Sequence, residues 1–200
     1  MRKFVSSLFV SALLCSTAFA GEPTVESDYQ KLSQIPAKYE VFGTICEYLA
    51  ALRLEDQYPK SKYSIEVGIE YRAGGRTVGE IDVVVFRKSD KEAVAVGQVK
   101  CRKNMGSARS HANEQNERFR STMSGSGQHS GAVTFRSTSK PDLVVTAEQM
   151  DEIADYFTAA QAPGAQNGWT MDVGHDLDTV SDMRDRLLAC QGSGECPQPQ

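Results

Sequence analysis

The apolar positions of this chain repeat with two periods, and the places where the period changes outline its elements. Over residues 37–54, Val41, Ile45, Tyr48, Leu49 and Leu52 recur at the spacing of one helical face, which predicts a helix despite Gly43. Pro59 follows where that helix must stop. Residues 62–71 then alternate, with Tyr63, Ile65, Val67, Ile69 and Tyr71 on one side, which is the period of a strand with one wet face. Ala73-Gly74-Gly75-Arg76 reads as a turn. A second strand covers residues 77–87 and ends in the continuous run Val83-Val84-Val85-Phe86 of a buried strand. A turn at Ser89-Asp90-Lys91 leads to a third strand over 92–102, so the three form an antiparallel meander.

The remainder is less periodic. Residues 108–123 read as a polar helix, followed by a flexible loop over 124–128. Short strands are expected at 131–135 and 143–145. Thr146-Ala147-Glu148-Gln149 has the form of a capping box, which predicts a helix from there to about residue 160. After a loop at 163–168, a last strand at 169–173 and a last helix at 177–189 complete the chain. Residues 21–34 are polar and read as an exposed lead-in. The order predicts an α/β fold, a mixed central sheet flanked by helices.

The first twenty residues are set apart. Arg2 and Lys3 precede a short apolar run, and Ala18-Phe19-Ala20 offers a small-x-small cleavage site before Gly21. This is the pattern of a secretory signal peptide, and the run is too short to span a bilayer. Cys15 follows Leu14, where a lipid-attachment site wants a small residue. The expectation is a periplasmic or secreted protein with no membrane attachment after cleavage. It would form one domain over 21–200, with a core at about 40–160 and an extension at about 161–200.

Export changes the reading of the cysteines. Cys46, Cys101, Cys190 and Cys196 remain beyond the signal, an even count that suits an oxidising compartment. Cys190 and Cys196 flank a short loop and are the first expected pair. Cys46 and Cys101 then form either a helix-to-strand bridge or two buried thiols. Charge is uneven too. Residues 60–140 carry 15 basic and 8 acidic groups, whereas residues 141–200 carry 2 and 11. A basic middle suits a polyanionic partner, because neutralising phosphates releases counterions. Charge clustering alone is better explained by a solvated surface with no partner.

Candidate chemistry lies in that basic middle, in Gly79-Glu80-Ile81-Asp82 and, after the eleven residues that follow Phe86, in Gln98-Val99-Lys100. Residues two apart on a strand share a face, so Glu80 joins Asp82 and Gln98 joins Lys100. A carboxylate inside an apolar strand is costly unless it is paired or binds a metal. Two readings account for Asp82 and Lys100: a structural salt bridge between neighbouring strands, or a hard-cation site with an ammonium beside it.

The arrangement resembles the core of the PD-(D/E)xK nucleases, most closely the Holliday-junction-resolvase-like and related small endonuclease families. Those families carry Gly-Glu-Ile-Asp followed by Val-Glu-Val-Lys. The resemblance covers about residues 40–122 and implies a restriction-endonuclease-like fold with an αβββαβ core and C-terminal helical additions. It implies a metal-dependent nuclease cleaving DNA phosphodiester bonds with Mg2+ or Mn2+. Asp82, Gln98 (in the usual Glu position) and Lys100 would be catalytic, with Glu47 from the first helix. Asp82, Gln98 and Glu80 would hold the metal. Because Gln98 is neutral, the site has one negative charge fewer than the family pattern. Raised activity in an intact Gln98→Glu variant would support weakened metal binding, and loss of folding would point to a structural role. Gln115 and Phe119 resemble the Gln-x-x-x-Tyr motif of the RecB-type branch. Arg102, Lys103, Arg109, Gln115 and Arg118 would contact nucleic acid. His111 reads as a surface residue. The alternative is a non-catalytic nucleic-acid-binding or protein-interaction module on the same fold.

Overall fold

The computed structural model describes residues 24–126 and 131–199. The expected signal segment, Cys15 included, lies outside them. Ten main elements run in the order α1 (Val25–Leu32), α2 (Phe42–Gln57), β1 (Tyr63–Ala73), β2 (Arg76–Arg87), β3 (Ala93–Lys100), α3 (Met105–Met123), β4 (Val133–Ser137), β5 (Asp155–Ala160), β6 (Met171–Asp172) and α4 (Leu177–Ser193). The fold is mixed α/β, with one six-stranded sheet in the order β4-β1-β2-β3-β5-β6.

β1, β2 and β3 form the antiparallel meander that the alternation predicts. Gly74 and Gly75, with φ of 56° and 79°, supply the left-handed pair that a two-residue hairpin needs. β4 extends β1 antiparallel, whereas β5 and β6 continue from β3 in parallel. α1, α2 and α4 cover one face through Leu32, Ile45, Leu49, Val180 and Met183. α3 covers the other through Phe119, which packs on Tyr71.

One irregularity in this sheet positions the candidate site. Val67 and Val83, paired across β1 and β2, belong to the core beneath α1, α2 and α4. Ile69 and Ile81, two residues along, belong to the core beneath α3. Residues two apart on a regular strand share a face, so the pleat breaks between them. The ladder lacks a Gly68–Asp82 pair, and Gly68 has φ +72°. A side chain at Gly68 would also collide with the Thr138 hydroxyl. The strand therefore changes face at a residue only glycine suits, directly opposite Asp82.

Several expectations are corrected. Residues 25–32 are not an exposed lead-in but a capped helix that buries Asp28 and Leu32. The helix expected over 146–160 does not form, and its last part, Asp155–Ala160, is the strand β5. The capping pair does form, with Thr146 N–H donating to Gln149 Oε1 at 2.9 Å, yet it caps only a three-residue turn, Glu148–Met150. Residues 155–160 pair with β3 along its length, because an open β3 edge with an apolar face on either side outweighs local helix preference. Residues 143–145 form no strand, and the last strand shortens to Met171–Asp172.

Both cysteine pairs are bonded, Cys190 with Cys196 and Cys46 with Cys101, so the bridge is favoured over two buried thiols. Among the described residues no helix is long and apolar enough to cross a membrane.

Candidate active site

The β2–β3 ladder ends at the pair Val83–Gly97, and beyond it side chains fill the gap between the strands. Asp82 Oδ2 accepts the backbone N–H of Val99 at 2.7 Å and the Lys100 ammonium at 2.6 Å. Gln98 Nε2 donates to the Glu80 carbonyl at 2.8 Å, which turns Oε1 toward Lys100 Nζ, 3.3 Å away. Gln98 is 1% exposed and Asp82 6%, so this constellation is almost dry. Asp82, Gln98 and Lys100 thus meet, although the pleat of β2 breaks at Asp82 and the ladder has already ended.

The geometry also gives Gln98 a role of its own. Its amide N–H reaches a carbonyl, which an ionised Glu could not do, because a carboxylate only accepts. Of the two outcomes expected of Gln98→Glu, this bond favours the structural one, because the change would set two acceptors against each other.

Two further carboxylates face the group. Glu47 lies on α2, one residue past the bonded Cys46, and has no hydrogen-bond partner among the described residues. Burial raises its pKa to about 8, with the negative charges of Asp82 and Glu80 adding to the shift and Lys100 opposing it. Glu80 Oε1 lies 3.0 Å from the Thr138 hydroxyl. Desolvation raises its carboxyl, Thr138 counters, and Asp82 and Glu70 add to the rise. Desolvation also drives Asp82 upward, against the pull of Lys100, the Val99 N–H and His111. Three carboxyl groups therefore face one ammonium, and Glu47, desolvated among them, keeps its proton at neutral pH. A cleft of about 270 Å³ opens beside them, lined by Glu47, Glu80, Gly68, Thr138 and Lys38.

His111, on the second turn of α3, is exposed, as expected of a surface residue. Sequence reasoning missed one contributor. Thr138 follows β4 and ties Gly68 to the site, donating its backbone N–H to the Gly68 carbonyl at 2.8 Å. No local pattern marks a lone threonine that acts through such a distant strand.

The expected nucleic-acid contacts divide. Arg102, Lys103 and Arg118 are exposed. Arg109 is half-buried and donates to the Asn167 carbonyl at 2.8 Å, so it holds the turn before β6. Gln115 Oε1 is buried without a partner, while Phe119 lies inside the α3 core.

The donor set suits a hard cation: carboxylate oxygens, one amide oxygen and no soft ligand. Among the described residues no three His, Cys, Asp or Glu side chains converge closely enough to hold a metal by themselves. A bound ion would therefore draw on the Gln98 oxygen, water or substrate to complete its shell. Comparison with family models, with curated proteins and with solved structures gives no match.

Proposed function

We propose that this chain is an exported, divalent-metal-dependent nuclease that hydrolyses DNA phosphodiester bonds through a PD-(D/E)xK-type site on a restriction-endonuclease-like fold. One observation carries the reading. A buried Asp82–Lys100 pair, 2.6 Å apart, has Gln98 Oε1 turned toward it and the further carboxylates Glu47 and Glu80 in its field. A purely structural ion pair has no use for two extra carboxyl groups, whereas a cation site that displaces their protons does.

In this reading Asp82, Gln98 and a deprotonated Glu47 or Glu80 hold Mg2+ or Mn2+. When bound, the cation polarises the scissile phosphate and eases ionisation of the attacking water. Lys100 supplies the fixed positive charge, orienting that water and stabilising charge that develops on phosphate oxygens. The Val99 N–H and the ammonium keep Asp82 in place while the ligand shell fills. Arg102, Lys103 and Arg118 hold the phosphate backbone and set register without reading bases. Export rests on the signal-like first twenty residues and the two disulfides.

The test is plasmid degradation with Mg2+ or Mn2+ by the wild type, by Asp82→Ala and by Lys100→Ala. Cleavage lost in both variants while they remain folded supports the reading. An oxidised wild type that leaves DNA intact with either ion overturns it.

A second reading has its own observation: Asp82 and Lys100 already satisfy each other at 2.6 Å, as a structural bridge would. The chain is then a non-catalytic nucleic-acid-binding or protein-interaction module. Salt-dependent DNA binding without cleavage selects the former, and no DNA affinity at low salt selects the latter.

A further inference from the structure

The Cys46–Cys101 disulfide joins the two segments that supply the site. Cys46 directly precedes Glu47 on α2, and Cys101 directly follows Lys100 at the end of β3. The bond spans 55 residues of sequence, and both cysteines are buried, at 0% and 6% exposure.

Little else fixes α2 against that end of β3. Among the described residues no side-chain hydrogen bond or salt bridge joins the two elements. The α2 N-cap, Val41, makes no side-chain capping bond. The polar ties of α2 point elsewhere, with Arg53 reaching Asp28 and the Val173 carbonyl. The strand end, by contrast, is held independently. Lys100 pairs with Ala160 in β5, and the Gln161 amide clamps both backbone groups of Arg102, at 2.7 and 3.2 Å. Apolar packing beneath α2 is non-directional and tolerates small slides. The covalent bond does not, and it acts one residue from each site group.

We infer that Cys46 and Cys101 are positioning residues, whose disulfide sets Glu47 against Lys100 and Asp82 and so completes the site only after the chain enters an oxidising compartment. This rests on the nuclease reading above. The chemistry is thiol–disulfide exchange. The two thiols give up two protons and two electrons to an external disulfide, which leaves as two thiols, and one S–S bond forms in the protein as another breaks. Inside a reducing cytosol the same chain would fold around two buried thiols with Glu47 free to shift. A nuclease with this arrangement is held back while it shares a compartment with its producer's DNA.

The experiment compares oxidised wild type, Cys46→Ala/Cys101→Ala and Cys190→Ala/Cys196→Ala. Circular dichroism reports folding, Mn2+ titration reports the site, and plasmid cleavage gives kcat and KM separately. The expected result is a folded Cys46→Ala/Cys101→Ala chain whose kcat falls about 100-fold, as a displacement of about 1 Å produces. Its Mn2+ affinity falls about 10-fold, and KM for DNA is nearly unchanged, because the basic contacts lie elsewhere. The Cys190→Ala/Cys196→Ala chain keeps both kcat and Mn2+ affinity. Wild type refolded under reducing conditions behaves like the first double variant and recovers with oxidised glutathione.

Wild-type kcat and Mn2+ affinity in folded Cys46→Ala/Cys101→Ala overturn the inference. So does loss of folding in both that variant and the reduced wild type, since the bond then holds the fold and not the site. If oxidised wild type binds Mn2+ but cleaves nothing, the nuclease reading falls alone, and the Mn2+ comparison still decides the positioning role. If it does neither, both fall.

Discussion

The molecule buries two aspartates beside basic side chains, and the contrast between them is instructive. Asp28 on α1 is fully enclosed, and its Oδ2 meets the Arg53 guanidinium and, at 2.7 Å, His175 Nε2. Arg53 also donates to the Val173 carbonyl, so the cluster ties α1, α2 and the approach to α4. One carboxylate there meets a guanidinium and an imidazole. Asp82 has a single ammonium partner and two more carboxyl groups in its field, Glu47 and Glu80, and it is these two that line a cleft. Burial of an acid therefore does not by itself mark a functional site. What sets the Asp82 group apart is the crowding of carboxyl groups at a cleft, which the proposed cation site would use by displacing their protons.

The sharpest way to break this comparison is to remove each centre. Asp82→Ala and Lys100→Ala should reduce cleavage by roughly 1000-fold or more while the chains still fold, as read by single-turnover kinetics alongside circular dichroism. Asp28→Ala should do the reverse. It leaves Arg53 without its carboxylate and should cost about 3–5 kcal/mol in urea unfolding, with activity per folded molecule unchanged. If Asp28→Ala abolished cleavage at full stability, the two clusters would not differ as argued.

Gly68→Ala should sit between these extremes. It forces a side chain into a left-handed backbone position and against Thr138, at a cost of about 1–3 kcal/mol in the same assay. Because Asp82 lies opposite, activity should fall further than stability. A variant as active and as stable as wild type would remove the broken pleat from the account of the site.

The smallest effect concerns protons. Between pH 4.5 and about 8 the folded chain holds a proton on Glu47 that the unfolded chain has released. The unfolded state binds fewer protons there, so stability should fall as pH rises through that window. Asp82 and Glu80 shift in the same direction and add to the slope. Glu47→Gln should flatten it, and Mn2+ should stabilise the wild type more at pH 8 than at pH 5.5, since cation and proton compete. Thermal melts at several pH values, with and without Mn2+, measure this. An unchanged slope in Glu47→Gln would assign the titration to its neighbours.

Local pattern was enough for the meander. Alternation over residues 62–102 marked three strands, the glycine pair marked their first turn, and an acid and an ammonium inside apolar runs marked where chemistry could lie. These are properties of periods two and 3.6 and of desolvation cost, which a chain carries wherever it folds.

Tertiary context decided the rest. β5 is a strand because β3 leaves an edge to pair with, although a capping box precedes it. Asp28 is buried because Arg53 and His175, 25 and 147 residues away, converge on it. Cys46 and Cys101 are bonded because α2 packs against β3, and local sequence shows only two cysteines 55 residues apart. Gln98 acts as a donor to Glu80 only because the ladder opens beyond Val83–Gly97. Each depends on which distant groups become neighbours, and no periodicity along the chain encodes that.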